Sequence, residues 1–333
     1  MFRNRVGSST RLTTAVLISL SLAGVISTAE TPPRLDPGAW GSDHVGQPVP
    51  EFTTGEQCLF CHRNTVGTTW TANRHHRTIR EFADENAIRA ALRNSPADAF
   101  VNEIQYVMGD RQRQRLLKSA AAYGKADLLS VQWAPPHDDE AGALIDVDNP
   151  HWDVREFGES CAGCHATAVD PKTTAFASIS LDCCVCHGDL PAEHANRREL
   201  AILSPARKDE ARVVTSICAQ CHVRTGKSKS TGRPYPTNFV AGDNLFRDFV
   251  VDFSDAALAK LSAADRHVLE NVRDVAVLGK ETATCLSCHD IHRRSSQKHE
   301  SVAETGYCVI CHDAGKPKRE LKSFTVHSRT CQY

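Results

Sequence analysis

Aromatic side chains are scarce, at 6% of 333 residues, so stacked rings supply little of whatever interior this chain builds. Neither sign of charge is in surplus: 39 Lys+Arg face 40 Asp+Glu, a net of -1, with no long block of either sign. That balance excludes nucleic acid as a partner and excludes a solvating acidic tail. Beyond residue 26 no apolar run approaches the roughly 20 residues that a membrane helix needs. There is no phosphate-cradling glycine loop, no dinucleotide fingerprint and no Ser/His/Asp constellation. Hydrophobic residues at 41% and charged residues at 24% rule out disorder, collagen and a multi-span membrane protein. The chain is therefore globular, with two anomalies: 14 cysteines and 16 histidines stand beside only two methionines.

The first 29 residues predict an export leader. Arg3, Arg5 and Arg11 stand without an acid, Leu12 to Ile26 is apolar, and Ser27-Thr28-Ala29 offers small residues for cleavage. Its apolar stretch is too short to span a bilayer, so the expected product has no integral membrane span and is periplasmic or otherwise exported. Loss of the three arginines takes the net charge to about -4, and export places the cysteines outside the reducing cytosol.

Every CxxC in the chain is followed at once by histidine. The six are Cys58, Cys61 and His62; Cys161, Cys164 and His165; Cys183, Cys186 and His187; Cys218, Cys221 and His222; Cys285, Cys288 and His289; and Cys308, Cys311 and His312. This is the c-type haem attachment motif. On one helical turn, residues three and four apart share a face, so two thiols reach the two vinyl groups of one porphyrin while the next histidine meets its iron. A zinc ribbon has no use for a histidine after every second cysteine, and a disulfide framework does not recur in units of five. Six covalently attached haem c groups are expected. Cys184 and Cys331 are left over, the first read as a bystander beside a haem edge.

Each motif histidine supplies one axial ligand, and the other ligand decides what the iron does. Met108 is the one methionine after the leader, and Gln105 to Gly109 suits it to apolar packing, so Met/His ligation is available at one haem at most. Ten histidines lie outside the motifs. His292, three beyond His289, and His194, seven beyond His187, rank first. One of His75 and His76 follows, with His75 preferred, and then His151, His267 and His327; His44 and His137 lie in turn-rich surroundings. Bis-His ligation throughout is affordable, and without methionine the potentials are expected to be low.

The motifs are unevenly spaced. The expected divisions are a leader over 1-29, a first-haem region with a helical spacer over 30-160, a three-haem cluster over 161-222, a helical spacer over 223-284, and a two-haem module over 285-333. Thr78 to Arg93 and Gly109 to Tyr123 read as helices, Leu128 to Trp133 as a short strand, and Ser254 to Val277 as a helix capped by Ser254. About 51 residues serve each haem, too few for six separate pockets. The expected fold is mainly α with extensive loops and little β, stacked haems forming the core.

Several stretches resemble multihaem c-type cytochromes of the cytochrome c-554 group, including proteins with a doubled CxxCH motif. They are CLFCH with Trp70 and His75-His76; Tyr106-Val107-Met108-Gly109 with Gln112 and Gln114; CAGCHAT; CCVCHGDLPAEH; CAQCHVRTG leading to Phe239, Gly242-Asp243 and Leu245; and CLSCHDIH with CVICH. Together they span Cys58 to His312. Cys184 stands where an acidic or small residue is usual, and Asp189-Leu190-Pro191 where a tighter turn is common. The resemblance implies distal ligands at His75 or His76, His194 and His292, and a periplasmic electron carrier with closely stacked haems.

The expected function is electron relay between redox partner proteins, a quinol-linked donor or dehydrogenase on one side and a terminal reductase on the other. Two alternatives are a reductase or oxidase of small nitrogen or sulfur compounds with one open haem site, and a subunit of an extracellular haem filament. The motifs themselves make one prediction: the exported chain carries six haems, counted by intact mass and pyridine haemochrome absorbance. A product with zinc in place of iron overturns it.

Overall fold

The computed structural model describes residues 55-297 apart from 111-112, 138-139, 189, 238 and 280-283, together with the backbone of a C-terminal hairpin, Ser323-Val326 paired with Arg329-Gln332. The leader, His44, the sixth motif (Cys308, Cys311, His312) and His299 and His327 lie outside the described residues.

An antiparallel sheet organises residues 79-153. Its strands are β1 (Ile79-Glu81), β2 (Tyr106-Met108), β3 (Gln114-Ser119), β4 (Ala126-Ala134), β5 (Ala143-Ile145) and β6 (Trp152-Asp153). The order is β1-β2-β3-β4-β5, with β6 also pairing with β4. Side chains alternate across a strand, and here both faces are buried. Val107, Leu116, Leu129, Val131 and Trp133 point to one side, where Ile88 and Leu92 of the helix Asn86-Arg93 and Phe82 close an apolar cluster. Ile79, Met108, Leu117 and Leu128 point to the other, against Phe157, Ala162 and Ala166 of the second motif's segment. The sheet therefore carries a side-chain core on one face and a haem-attachment motif on the other.

The mainly α fold with little β expected from the sequence is corrected by this sheet. Gly109 to Tyr123 is not helical. Its straight-chain residues favour a helix locally, but Leu116 and Leu117 are adjacent, and only a strand sends adjacent side chains into opposite apolar clusters. A bulge between Arg115 and Leu117 hides the alternation. Thr78 to Arg93 is likewise split into β1, a short turn and the helix Asn86-Arg93, while His75 and His76 sit in the turn before β1. The strand read at Leu128 to Trp133 is present within β4.

Residues 211-277 are the helical part. The helix Ala211-His222 ends in the fourth motif and packs against Ala263-Val272 through Ala219, Leu245, Phe249, Leu258, Leu269 and Val272. The single helix expected over Ser254 to Val277 is broken into Asp255-Leu258, Ala263-Val272 and one wider turn, Arg273-Val277. Ser254 caps the first, its hydroxyl accepting from Ala257 N, and Ser262 caps the second in the same way from Asp265 N. The described residues all belong to one unit, Arg34-Tyr333, and none of their helices is long and apolar enough to cross a membrane.

Leu129 is fully buried between β4 and the helix Asn86-Arg93. Leu129→Ala is expected to cost about 2-5 kcal/mol in denaturant unfolding and to leave the number of attached haems unchanged, because the cluster it opens contains no motif residue.

Candidate haem-attachment centre

The five described motifs all lie on helical turns. The first occupies the end of Gly55-His62, the second follows Phe157-Cys161 through Ala162-His165, the third is Cys184-His187, the fourth ends Ala211-His222, and the fifth opens on the turn Cys285-Ser287. In each, the two thiols and the histidine emerge from one turn, as covalent attachment of a porphyrin requires. The third ends sharply because Gly188, at φ +68°, takes a left-handed conformation that a side chain disfavours.

Cysteines of different motifs lie close together: Cys164 Sγ is 3.8 Å from Gln220 O, and Cys221 Sγ is 3.9 Å from Gly163 O. Cys58 pairs with Cys183, Cys164 with Cys221, and Cys218 with Cys285, each through a sulfur hydrogen bond. The partners shift in opposite directions because one thiol donates to the other's thiolate: Cys58, Cys164 and Cys285 go down, while Cys183, Cys221 and Cys218 go up. Burial alone pushes Cys186 up to about 11, and burial is the main cause of the same rise at Cys161. Cys184 is buried inside the third motif, and desolvation raises it as well. Among the described residues no group of three or more His, Cys, Asp or Glu converges on a point where a bare ion could sit, as a closed zinc site would require.

The histidines pair across the motifs. His62 and His194 have ring centres 6.3 Å apart with planes 23° from parallel, His187 and His292 are 5.8 Å apart at 22°, and His222 meets His75 edge-on at 6.1 Å. Each pair joins one motif histidine to one outside the motifs. Three of these six rings are also oriented by their other nitrogen. His187 Nδ1 lies 2.6 Å from Ile202 O, His194 Nδ1 2.8 Å from Pro191 O, and His75 Nδ1 3.0 Å from Asn73 Oδ1. An oxygen acceptor makes Nδ1 the protonated nitrogen and leaves the Nε2 lone pair for a metal. Burial lowers His187 and His292, and pushes His165 down to about 4, which keeps these imidazoles neutral as ligation demands. His165 Nδ1 is buried with no hydrogen-bond partner.

The remaining candidates lie elsewhere. His76 stacks at a tilt on buried Trp70, ring centres 5.8 Å apart. His151 is exposed at the rim of the sheet, Nδ1 2.8 Å from Asn149 O. His267 lies on Ala263-Val272, where Asn271 donates to its carbonyl at 2.8 Å. Met108 is buried in the apolar cluster beside the second motif, as its surroundings in the sequence suggested.

Two structural residues escaped the sequence reading. Asp182 accepts from Gly55 N at 2.9 Å and from Cys183 N at 2.5 Å, tying the first motif's helix to the third motif. A Cβ on Gly55 would meet the same carboxylate at 1.9 Å. Tyr235, 2% exposed, lies against Gly163 of the second motif and donates its hydroxyl to Gly158 O. Desolvation raises that phenol to about 12.

No family model matches the sequence, and no curated protein matches it. A solved structure, the undecaheme cytochrome from the S-layer of Carboxydothermus ferrireducens, superposes with a TM-score of 0.42 at 16% identity, over 87% of this chain and 45% of that one. The chain thus spans less than half the length of that neighbour. The reading of the site rests on the chain's own residues.

A Cβ on Gly163 would stand 2.0 Å from the Tyr235 ring. Gly163→Ala is expected to destabilise the protein by about 1-3 kcal/mol by overpacking, and the loss should shrink in a Tyr235→Ala background. Thermal unfolding of the four proteins in this double-mutant cycle measures the coupling.

Proposed function

We propose that this chain is an exported hexahaem c-type cytochrome that relays electrons between redox partner proteins through closely spaced, low-potential bis-His haems. The observation that carries the reading is the pairing of His62 with His194, His222 with His75, and His187 with His292. Two imidazoles on one iron would be separated by about 6.2 Å between ring centres, from a metal-nitrogen bond of about 2.0 Å and about 1.1 Å more to each ring centre. The separations of 5.8-6.3 Å match that span. When bound, haem supplies reversible one-electron chemistry. The chain's own residues would do the rest: the motif thiols would anchor the ring, and His62, His187 and His222 would hold the iron together with His194, His292 and His75. The Nδ1 hydrogen bonds of His75, His187 and His194 hold the tautomer. The closeness of the fourth motif to the second and the third favours short steps between neighbouring groups. The packing of Met108 among apolar side chains supports potentials below those of Met/His haems. A quinol-linked donor or dehydrogenase and a terminal reductase are the partner classes such potentials suit.

A redox titration followed by electron paramagnetic resonance tests the reading. Relay predicts low-spin ferric haem throughout and no Soret shift on adding cyanide or nitrite; a high-spin signal with such a shift would favour a reductase. His194→Met is expected to raise the midpoint of one haem while the others hold their values, because thioether ligation favours the ferrous state.

A further inference from the structure

Asn73 is 2% exposed, and its side-chain amide is saturated. Its Oδ1 accepts from the His75 backbone N-H at 2.9 Å and lies 3.0 Å from His75 Nδ1. Its Nδ2 donates to Ile291 O at 2.7 Å and to Arg293 O at 2.5 Å. An amide offers two donors and two lone pairs, and all four are used here. The two carbonyls bracket His292. Neighbouring residues grip the same segment: Thr69 Oγ1 donates to His292 O at 2.6 Å, Ser295 Oγ accepts from Arg74 N at 2.9 Å, and the Trp70 ring meets His292 edge-on at 6.4 Å. One buried side chain thus holds two histidines that are 217 positions apart and that face motif histidines of different motifs, His222 and His187.

We propose that Asn73 is a positioning residue that sets the axial ligands of two haems at once. This rests on reading His75 and His292 as ligands. Through Oδ1 it fixes the His75 tautomer, with the proton on Nδ1 and the lone pair of Nε2 directed to the fourth motif's iron. Through Nδ2 it clamps the backbone on both sides of His292 and seats that ring on the third motif's iron. The two halves have different consequences. An acceptor on Nδ1-H makes imidazole a stronger donor to ferric iron and lowers the potential of that haem, whereas the backbone clamp governs whether the second ring reaches its iron at all. Burial without an alternative partner makes the arrangement costly to leave half-made.

The test uses the exported holoprotein with Asn73→Leu, which keeps the volume and removes all four contacts, and with Asn73→Ser, which is milder and too short to reach the two carbonyls. His75→Ala and His292→Ala are the reference variants. The readouts are haem content, electron paramagnetic resonance and a spectroelectrochemical titration. Each histidine variant is expected to convert one haem, a different one in each case, to a high-spin signal. Both Asn73 variants should disturb those same two haems with haem content unchanged: an upward shift in the potential of the His75 haem, and a high-spin fraction at the His292 haem that added imidazole restores. Asn73→Ser should give the smaller changes. If the histidine variants stay wholly low-spin, the ligand reading fails. If they convert but the Asn73 variants disturb neither haem, or only one, while the unfolding temperature falls, Asn73 is a packing residue and the proposal is overturned.

Discussion

Two imidazoles held about 6 Å apart, one from a CxxCH motif and one from a distant part of the chain, form the constraint to which the rest of the molecule answers. A motif histidine is delivered by its own helical turn, since the thiols and the ring emerge from four or five consecutive residues. Its partner has no such local guarantee. In the proposed ligand sets His75 meets His222, His194 meets His62, and His292 meets His187, so segments far apart in sequence have to be brought together and oriented. Nearly all the tertiary contacts around the motifs serve that end.

Several of those contacts act directly between motifs. Asp182 joins the first motif's helix to the third by accepting from both backbones, and Tyr235 presses on Gly163 where no side chain fits. Asn73 and Thr69 draw the segment after the fifth motif onto the segment after the first. A buried carboxylate, amide or phenol is retained only where its hydrogen bonds are made, and here each set of bonds crosses from one motif's surroundings to another's.

The sheet over residues 79-153 is the main departure from a helical multihaem chain. Its inner face carries Phe82, Ile88, Leu92 and Leu129, a conventional apolar core, and its other face carries Phe157 and Ala162 at the second motif. Side chains therefore supply more of the interior than the low aromatic content suggested, because aliphatic residues from two faces of one sheet are enough to bury it. The spacer after the fourth motif does the same for the helix Ala211-His222 through Leu245, Phe249 and Leu269.

The sequence by itself carries the case for covalent haem attachment. Six repeats of two cysteines and a histidine fall within five residues each, and at that range helical geometry leaves little else to decide. For the second ligand it offered His75, His76, His151, His194, His267, His292 and His327, of which His75, His194 and His292 lie beside motif histidines. It did not determine which motif each would face. His292 follows the fifth motif and lies beside the third motif's His187, because Asn73 and Thr69, more than 200 positions away, hold its backbone there. Nor was β3 legible, since Arg115-Leu116-Leu117-Lys118 reads as helix until β4 offers unpaired backbone groups and apolar surface on both sides. Local chemistry is written in neighbouring residues. Pairing over a hundred or more positions depends on burial and hydrogen bonds that exist only once the chain has closed on itself.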